Sequence, residues 1–168
     1  MPTRGRARTP RPPSATALLL ALIDEAFDHV AWHGTTLLGG LRGLSAAAAA
    51  WRPSPRRHNI WEVAVHAAYW KYAVRRRLVG DKRGAFPLEG SNWFRRPAGT
   101  VADGAWQEDL RLLVEQHRLL RAAVAGLSAR QLTQPIGSRS SVAYMVRGIA
   151  AHDLYHAGQI QLLKRLRR

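Results

Sequence analysis

The sequence predicts an all-α domain, a four-helix bundle. Three observations carry that expectation. Apolar residues recur at three- and four-residue spacing over four long stretches, Pro and Gly punctuate the chain between them, and almost nothing alternates polar with apolar as a half-buried strand would. With 168 residues, 46% of them hydrophobic, the chain is sized for one domain with a substantial core.

Residues 1–13 hold Arg4, Arg6, Arg8 and Arg11 with four prolines and read as a disordered basic tail, leaving 14–168 as the folded domain. Helix one is expected to start after Ser14, a good N-cap. It places Leu18, Leu22, Ala26, Val30 and Leu37 on its stripe and ends near Gly39–Gly40 or Leu44. Ser45–Trp51 adds a turn, and Pro53-Ser54-Pro55 breaks the chain. Helix two runs from about Asn59 to Gly80 with Ile60, Val63, Ala67, Trp70 and Val74 inward. Residues 80–102 are rich in Gly, Pro and aromatics, lack a period, and read as a crossover able to roof a cavity with Trp93 or Phe94. Helix three spans about Asp103 to Ala125, its stripe formed by Trp106, Leu110, Leu113, His117, Leu120 and Val124. Helix four spans about Ser140 to Leu166, burying Val142, Met145, Ile149, Ile160 and Leu163.

Ala15–Ile23 after an Arg-rich start copies the outline of a signal peptide, yet Asp24, Glu25 and Asp28 follow at once without a small-x-small cleavage site. No apolar run reaches the ~20 residues that span a bilayer. A soluble, cytoplasmic protein without a membrane partner is the expectation. The net charge of +15 invites a nucleic-acid reading, but the two ends supply eight of the positive charges. The interior cluster, Lys71 to Arg77 with Lys82 and Arg83, falls where helix two ends and complements its dipole. Specific nucleic-acid binding is not expected.

The chain has no cysteine, which excludes disulfides, thiolate ligands, a Cys nucleophile and iron–sulfur clusters. A metal would need His, Asp or Glu. Two His-x-x-x-His pairs occur, His29/His33 and His152/His156, and residues four apart share a helix face. Context favours the second pair. It lies among Ile149, Ala157, Ile160 and Leu163, where an unpaired imidazole is costly to bury, and His66 is similarly flanked by Val63, Ala64, Val65 and Ala67. A cation shared by His66, His152 and His156 explains all three. Three imidazoles plus an exchangeable position make the open type of site used for catalysis, able to activate water or a substrate thiol.

Glu62, four residues before His66, and Gln159, three after His156, share faces with these histidines and are the catalytic candidates that would support the ligands from behind. For Glu62 a solvated first-turn carboxylate is the rival. Asp153 is rotated about 100° from His152 and is expected in solvent or in an interhelical salt bridge. His33 and His58 could reach the pocket, with Trp32, Tyr69 and Tyr155 as walls, or be ordinary hydrogen-bonded histidines. His117 is expected to be a satisfied core histidine.

The run Trp61-Glu62-Val63-Ala64-Val65-His66, together with His152-Asp153-Leu154-Tyr155-His156-Ala157-Gly158-Gln159-Ile160, resembles the DinB (YfiT-like) superfamily of metal-dependent enzymes. The likeness covers nearly everything from helix one to Leu166, and Arg57-His58-Asn59-Ile60-Trp61-Glu62 and Gly90-Ser91-Asn92-Trp93-Phe94 resemble one subgroup. The resemblance implies an up-down-down-up bundle in which His66, His152 and His156 hold a divalent ion. Zinc is the default for three imidazoles, with nickel, iron and manganese open. Some relatives transfer low-molecular-weight thiols to electrophiles and others act as isomerases or hydrolases, so the fold does not settle the reaction. The expectation is a metal-dependent hydrolase or thiol transferase acting on an unidentified small molecule. The alternatives are a non-catalytic metal or ligand carrier and a stress-response nucleic-acid-binding module, and a homodimer is open.

Overall fold

The computed structural model describes residues 12–82, 84, 86–97, 103–137 and 140–168. The expected basic tail lies outside them up to residue 11, and Pro12 and Pro13 are exposed. The described chain is mostly helical: α1 (Ala15–Phe27), α2 (Leu37–Leu41), α3 (Ala46–Ala50), α4 (Ile60–Val79), α5 (Asp103–Ala125), α6 (Ala129–Thr133) and α7 (Val142–Leu166). A two-residue antiparallel pair, β1 (Pro135–Ile136) with β2 (Ser140–Ser141), leads into α7. No helix among the described residues is long and apolar enough to cross a membrane.

Short polar side chains set the helix starts. Ser14, Thr36, Ser45 and Ser141 each accept a backbone N–H three residues on, satisfying a donor that the first turn leaves unpaired. Asn59 and Glu62 form a reciprocal capping box on α4, and Gly80 closes that helix in the left-handed region at φ 77°.

Helix one is shorter than the apolar spacing implies. It stops at Phe27; Val30, expected on its stripe, and Trp32, expected as a pocket wall, are fully exposed at 100% and 102%. Leu18 and Leu22 of the expected stripe are exposed as well, Leu19 and Ile23 being buried in their place. The physical reason is local. Gly34 takes φ 94°, which a right-handed helix cannot contain, and Thr36 Oγ1 caps a fresh helix by accepting from Gly39 N at 3.1 Å. The restart lets α2 approach α7 closely. A Cβ on Gly40 would stand 3.2 Å from Gln161 Nε2 and 3.3 Å from Ile160, and Lys164 Nζ donates to the Gly40 carbonyl at 3.0 Å.

Among the longer helices, α4 lies against α5 and α7, and α1 against α7 and α5. Two apolar clusters fill the interior. One gathers Phe27, Leu41, Trp61, Trp106, Leu113 and Ile160, and the other Ile23, Val74, Leu120, Val124, Val146 and Ile149. Each fully buried large side chain contributes about 1.5–3 kcal/mol. Trp61 and Trp106 also satisfy their indole N–H groups, on Asp109 Oδ2 at 2.6 Å and on the Leu44 carbonyl at 2.8 Å.

A polar layer lies between the clusters. Lys71 is completely buried and ion-paired with buried Asp153, its Nζ 3.4 Å from His117 Nδ1. Asp24 joins the layer and is gripped by both arms of Arg121 at 2.7 and 2.8 Å. Of the two outcomes expected for Asp153, the interhelical salt bridge is the one found, and it is buried. Lys71 departs from the expectation that it belongs to a solvated cluster at a helix end. It sits mid-helix and faces inward, whereas Arg76 and Arg77 occupy the last turn of α4. Arg83 lies outside the described residues.

Candidate metal centre

The capping box at Asn59 places His66 in the second turn of α4, and its side chain turns inward at 5% exposure. His152 and His156 stand one turn apart on α7. The three meet. His152 Nε2 lies 3.1 Å from His66 Nε2 and 3.0 Å from His156 Nε2. This is a group of metal-ligating type whose ligand atoms all fall within 4.8 Å of one another.

Hydrogen bonds on the far ring atoms decide which nitrogens face the centre. The Asn92 carbonyl can only accept, so His66 Nδ1, 2.7 Å away, carries the proton and Nε2 offers a lone pair. Gln159 Oε1 does the same for His156 Nδ1 at 2.7 Å. His152 Nδ1 is buried and has no hydrogen-bond partner among the described residues. If His152 carries its proton on Nε2, it satisfies one neighbouring lone pair well at best. If the proton is on Nδ1, three lone pairs oppose one another and a buried N–H is stranded. A divalent cation at the point of convergence removes either conflict, so the residues present fit a metal ion, and the other ring nitrogens of His66 and His156 are held as metal ligands normally are.

Electrostatics agree with the geometry. Burial, followed by charge on His156, His66 and Lys71, pushes His152 down to about 3. Burial takes His156 to about 4 against the opposing hydrogen bond that its Nδ1–H donates to Gln159. Burial also lowers His66, partly offset by the Asn92 carbonyl. All three are neutral near pH 7, the form that coordinates metal.

Asn92 is a residue of this candidate centre to which the sequence alone did not point. It occupies the left-handed region at φ 65°, where its carbonyl holds His66 and its Oδ1 accepts from Trp70 Nε1 at 2.9 Å. Its signal was the turn-forming run Gly90-Ser91-Asn92, since Asn tolerates this conformation better than other side-chain-bearing residues. Trp93 then inserts between two imidazoles, stacking on His66 at 3.9 Å and on His58 at 3.7 Å. Phe94 instead packs with Phe86 and Tyr69 at 5% exposure.

Glu62 is buried at 3% and engages Arg52 at 2.8 Å, His58 Nδ1 at 3.1 Å and the Asn59 and Arg96 backbone amides. Burial alone would raise its pKa, but the hydrogen bonds from Arg52, His58 and Arg96 outweigh it and hold the carboxyl below its usual range. It is therefore an anion that ties the residue 52–58 loop and the crossover to α4, and it reaches His66 only through His58 and Trp93.

Two cavities flank the centre. A cleft of about 520 Å³ is walled by Val63, Leu162, Leu163 and Leu166, with His58, Trp93 and Gln159 on the side of the histidines. A smaller one of about 210 Å³ is lined by Trp70, Arg77, Tyr144 and His152. His29 and His33 are exposed, and neither joins the cluster. Trp32 is likewise exposed and lines neither cavity. Tyr69 packs into the aromatic group of the crossover, while Tyr155, 64% exposed, meets His156 edge-on at 5.1 Å. His117 is buried as expected, stacked on Phe27 at 3.7 Å.

A family model described as the DinB superfamily matches residues 29–160. Comparison with curated proteins and with solved structures gives no match.

Proposed function

Since the chain belongs to the DinB superfamily, we propose that it holds a divalent metal ion on His66, His152 and His156 and uses the remaining coordination positions to act on a small molecule, as a hydrolase or a thiol transferase. In this reading α1, α4, α5 and α7 form an up-down-down-up four-helix bundle, and the segment before α5 crosses its metal-bearing end. One observation carries the proposal: three Nε2 atoms converge, and the hydrogen bonds on Nδ1 of His66 and His156 turn the Nε2 lone pairs of those two rings towards the shared centre.

When bound, the ion supplies Lewis acidity that brings the pKa of a water or a thiol towards neutrality. The chain supplies the rest. Asn92 and Gln159 are positioning residues that fix the His66 and His156 rings. Glu62 positions more remotely, by holding His58 against Trp93. The indoles of Trp70 and Trp93 cover His66 edge-on and face-on and exclude water from it. Three protein ligands rather than four leave room for substrate, the pattern of catalytic rather than structural sites.

The test is metal analysis of protein purified without a chelating tag, followed by calorimetric titration of the metal-stripped protein with zinc. We expect one ion per chain, abolished in His152→Ala, with turnover then sought across ester and electrophile panels. Absence of stoichiometric uptake in the wild type would refute the reading.

A further inference from the structure

We propose that the cleft beside the histidine cluster binds an amphipathic organic anion, a molecule with an acidic head and an apolar body. This names a substrate class for the proposed metal centre, and it rests on that reading for its role in turnover though not for binding.

The body of the cleft is hydrocarbon. Val63, Leu162, Leu163 and Leu166 line it, Leu162 and Leu166 being 58% and 57% exposed. About 520 Å³ lies within the range of roughly 300–1,000 Å³ typical of small-molecule sites. The polar end is basic. Arg57 and His58 line both this cleft and an adjoining one of about 270 Å³, to which Arg56 and Arg95 also contribute. The carboxylate that lines the adjoining cavity, Glu62, is already paired with Arg52 at 2.8 Å, and Arg96, next to Arg95, is paired with Asp109 at 2.9 Å. Arg56, Arg57 and Arg95 are exposed and make no ion pair among the described residues. A cationic rim over an apolar trough complements a carboxylate or phosphate on a hydrocarbon body. Gln159 connects the trough to the histidines: its Oε1 accepts from His156, and it also lines the cleft.

Calorimetry with four ten-carbon probes tests the assignment: decanoate, decyl phosphate, decanol and decyltrimethylammonium. Both anions should bind at least tenfold tighter than decanol, and the cation not at all. Arg57→Glu, at an exposed position, should weaken decanoate at least tenfold and leave decanol unchanged. Leu162→Trp, which fills the trough, should weaken every chain. Binding of decanol or the cation equal to that of decanoate would overturn the proposal, as would insensitivity to both substitutions. A second copy of the chain seated in the cleft, seen as a dimer in sedimentation that Leu162→Trp dissociates and decanoate does not, would overturn it as well. His152 does not line the cleft, so decanoate should bind His152→Ala as it binds wild type. Zinc uptake without decanoate binding sinks this inference alone; decanoate binding without zinc uptake sinks the metal reading alone.

Discussion

Replacing His117 with Phe should flatten the acid limb of the stability profile. The ring is 6% exposed, stacked on Phe27, with the Lys71 ammonium 3.4 Å from Nδ1. Burial, then the charges of Lys71, Arg121 and His29, push its pKa down from 6.5 to about 3. Because the folded-state pKa is depressed, the unfolded chain binds this proton first. The stabilisation is present above about 6.5 and is lost as pH falls towards about 3. Between about pH 6.5 and about pH 4.5, that one group should cost roughly 2 kcal/mol, at 1.36 kcal/mol per pK unit and less the half-titration at the upper end. His117→Phe keeps a ring on Phe27 and removes the proton, so its loss of stability over the same window should be smaller by that amount. Urea denaturation followed by circular dichroism, on both proteins after chelator treatment, gives the difference directly. Equal losses to within about 0.5 kcal/mol would mean that His117 titrates near its ordinary value and that the burial argument is wrong.

Other perturbations have equally definite outcomes. Asp153→Leu strands the Lys71 charge and should cost about 3–5 kcal/mol, most of it recovered by adding Lys71→Met; a single-variant cost below about 1 kcal/mol in chemical denaturation would contradict the buried pair. Asn92→Gly keeps the carbonyl and its left-handed turn and should retain zinc affinity, whereas Asn92→Val should lower it by about tenfold in calorimetry, as loss of a ligand-orienting partner does. Trp93→Ala should leave zinc uptake nearly intact and alter turnover or ligand binding. Phe94→Ala, by contrast, should lose roughly 3–5 kcal/mol of stability as a core deletion, and thermal melts that rank the two variants the other way would refute this division of roles.

Much of the architecture was legible because it is written in local chemistry. Asn59 and Gly80 bracket α4, Asp103 and Ala125 bound α5 as expected, and the four-residue spacing of His152 and His156 announced a shared face. The early end of α1 was not legible, since Val30 keeps the period and only the folded chain reveals that this stretch has nothing to pack against. Lys71 was misread for a related reason. A lysine in a run of basic residues looks solvated, and its burial depends on Asp153, 82 residues away. Asn92 was hidden because its contribution comes from a backbone carbonyl, which sequence patterns do not display.

The polar layer across the interior has a consequence for how the chain finds its alignment. Leucines and alanines tolerate sliding, because hydrocarbon meets hydrocarbon in more than one setting. A buried ammonium and a buried carboxylate do not. Shifting α7 along α4 by one turn, about 5.4 Å, would leave each ion facing grease. Lys71 and Asp153 thus act as a benchmark from which both ends of the molecule are surveyed. His66, five residues before one, and His152, immediately before the other, take their coordinates from it.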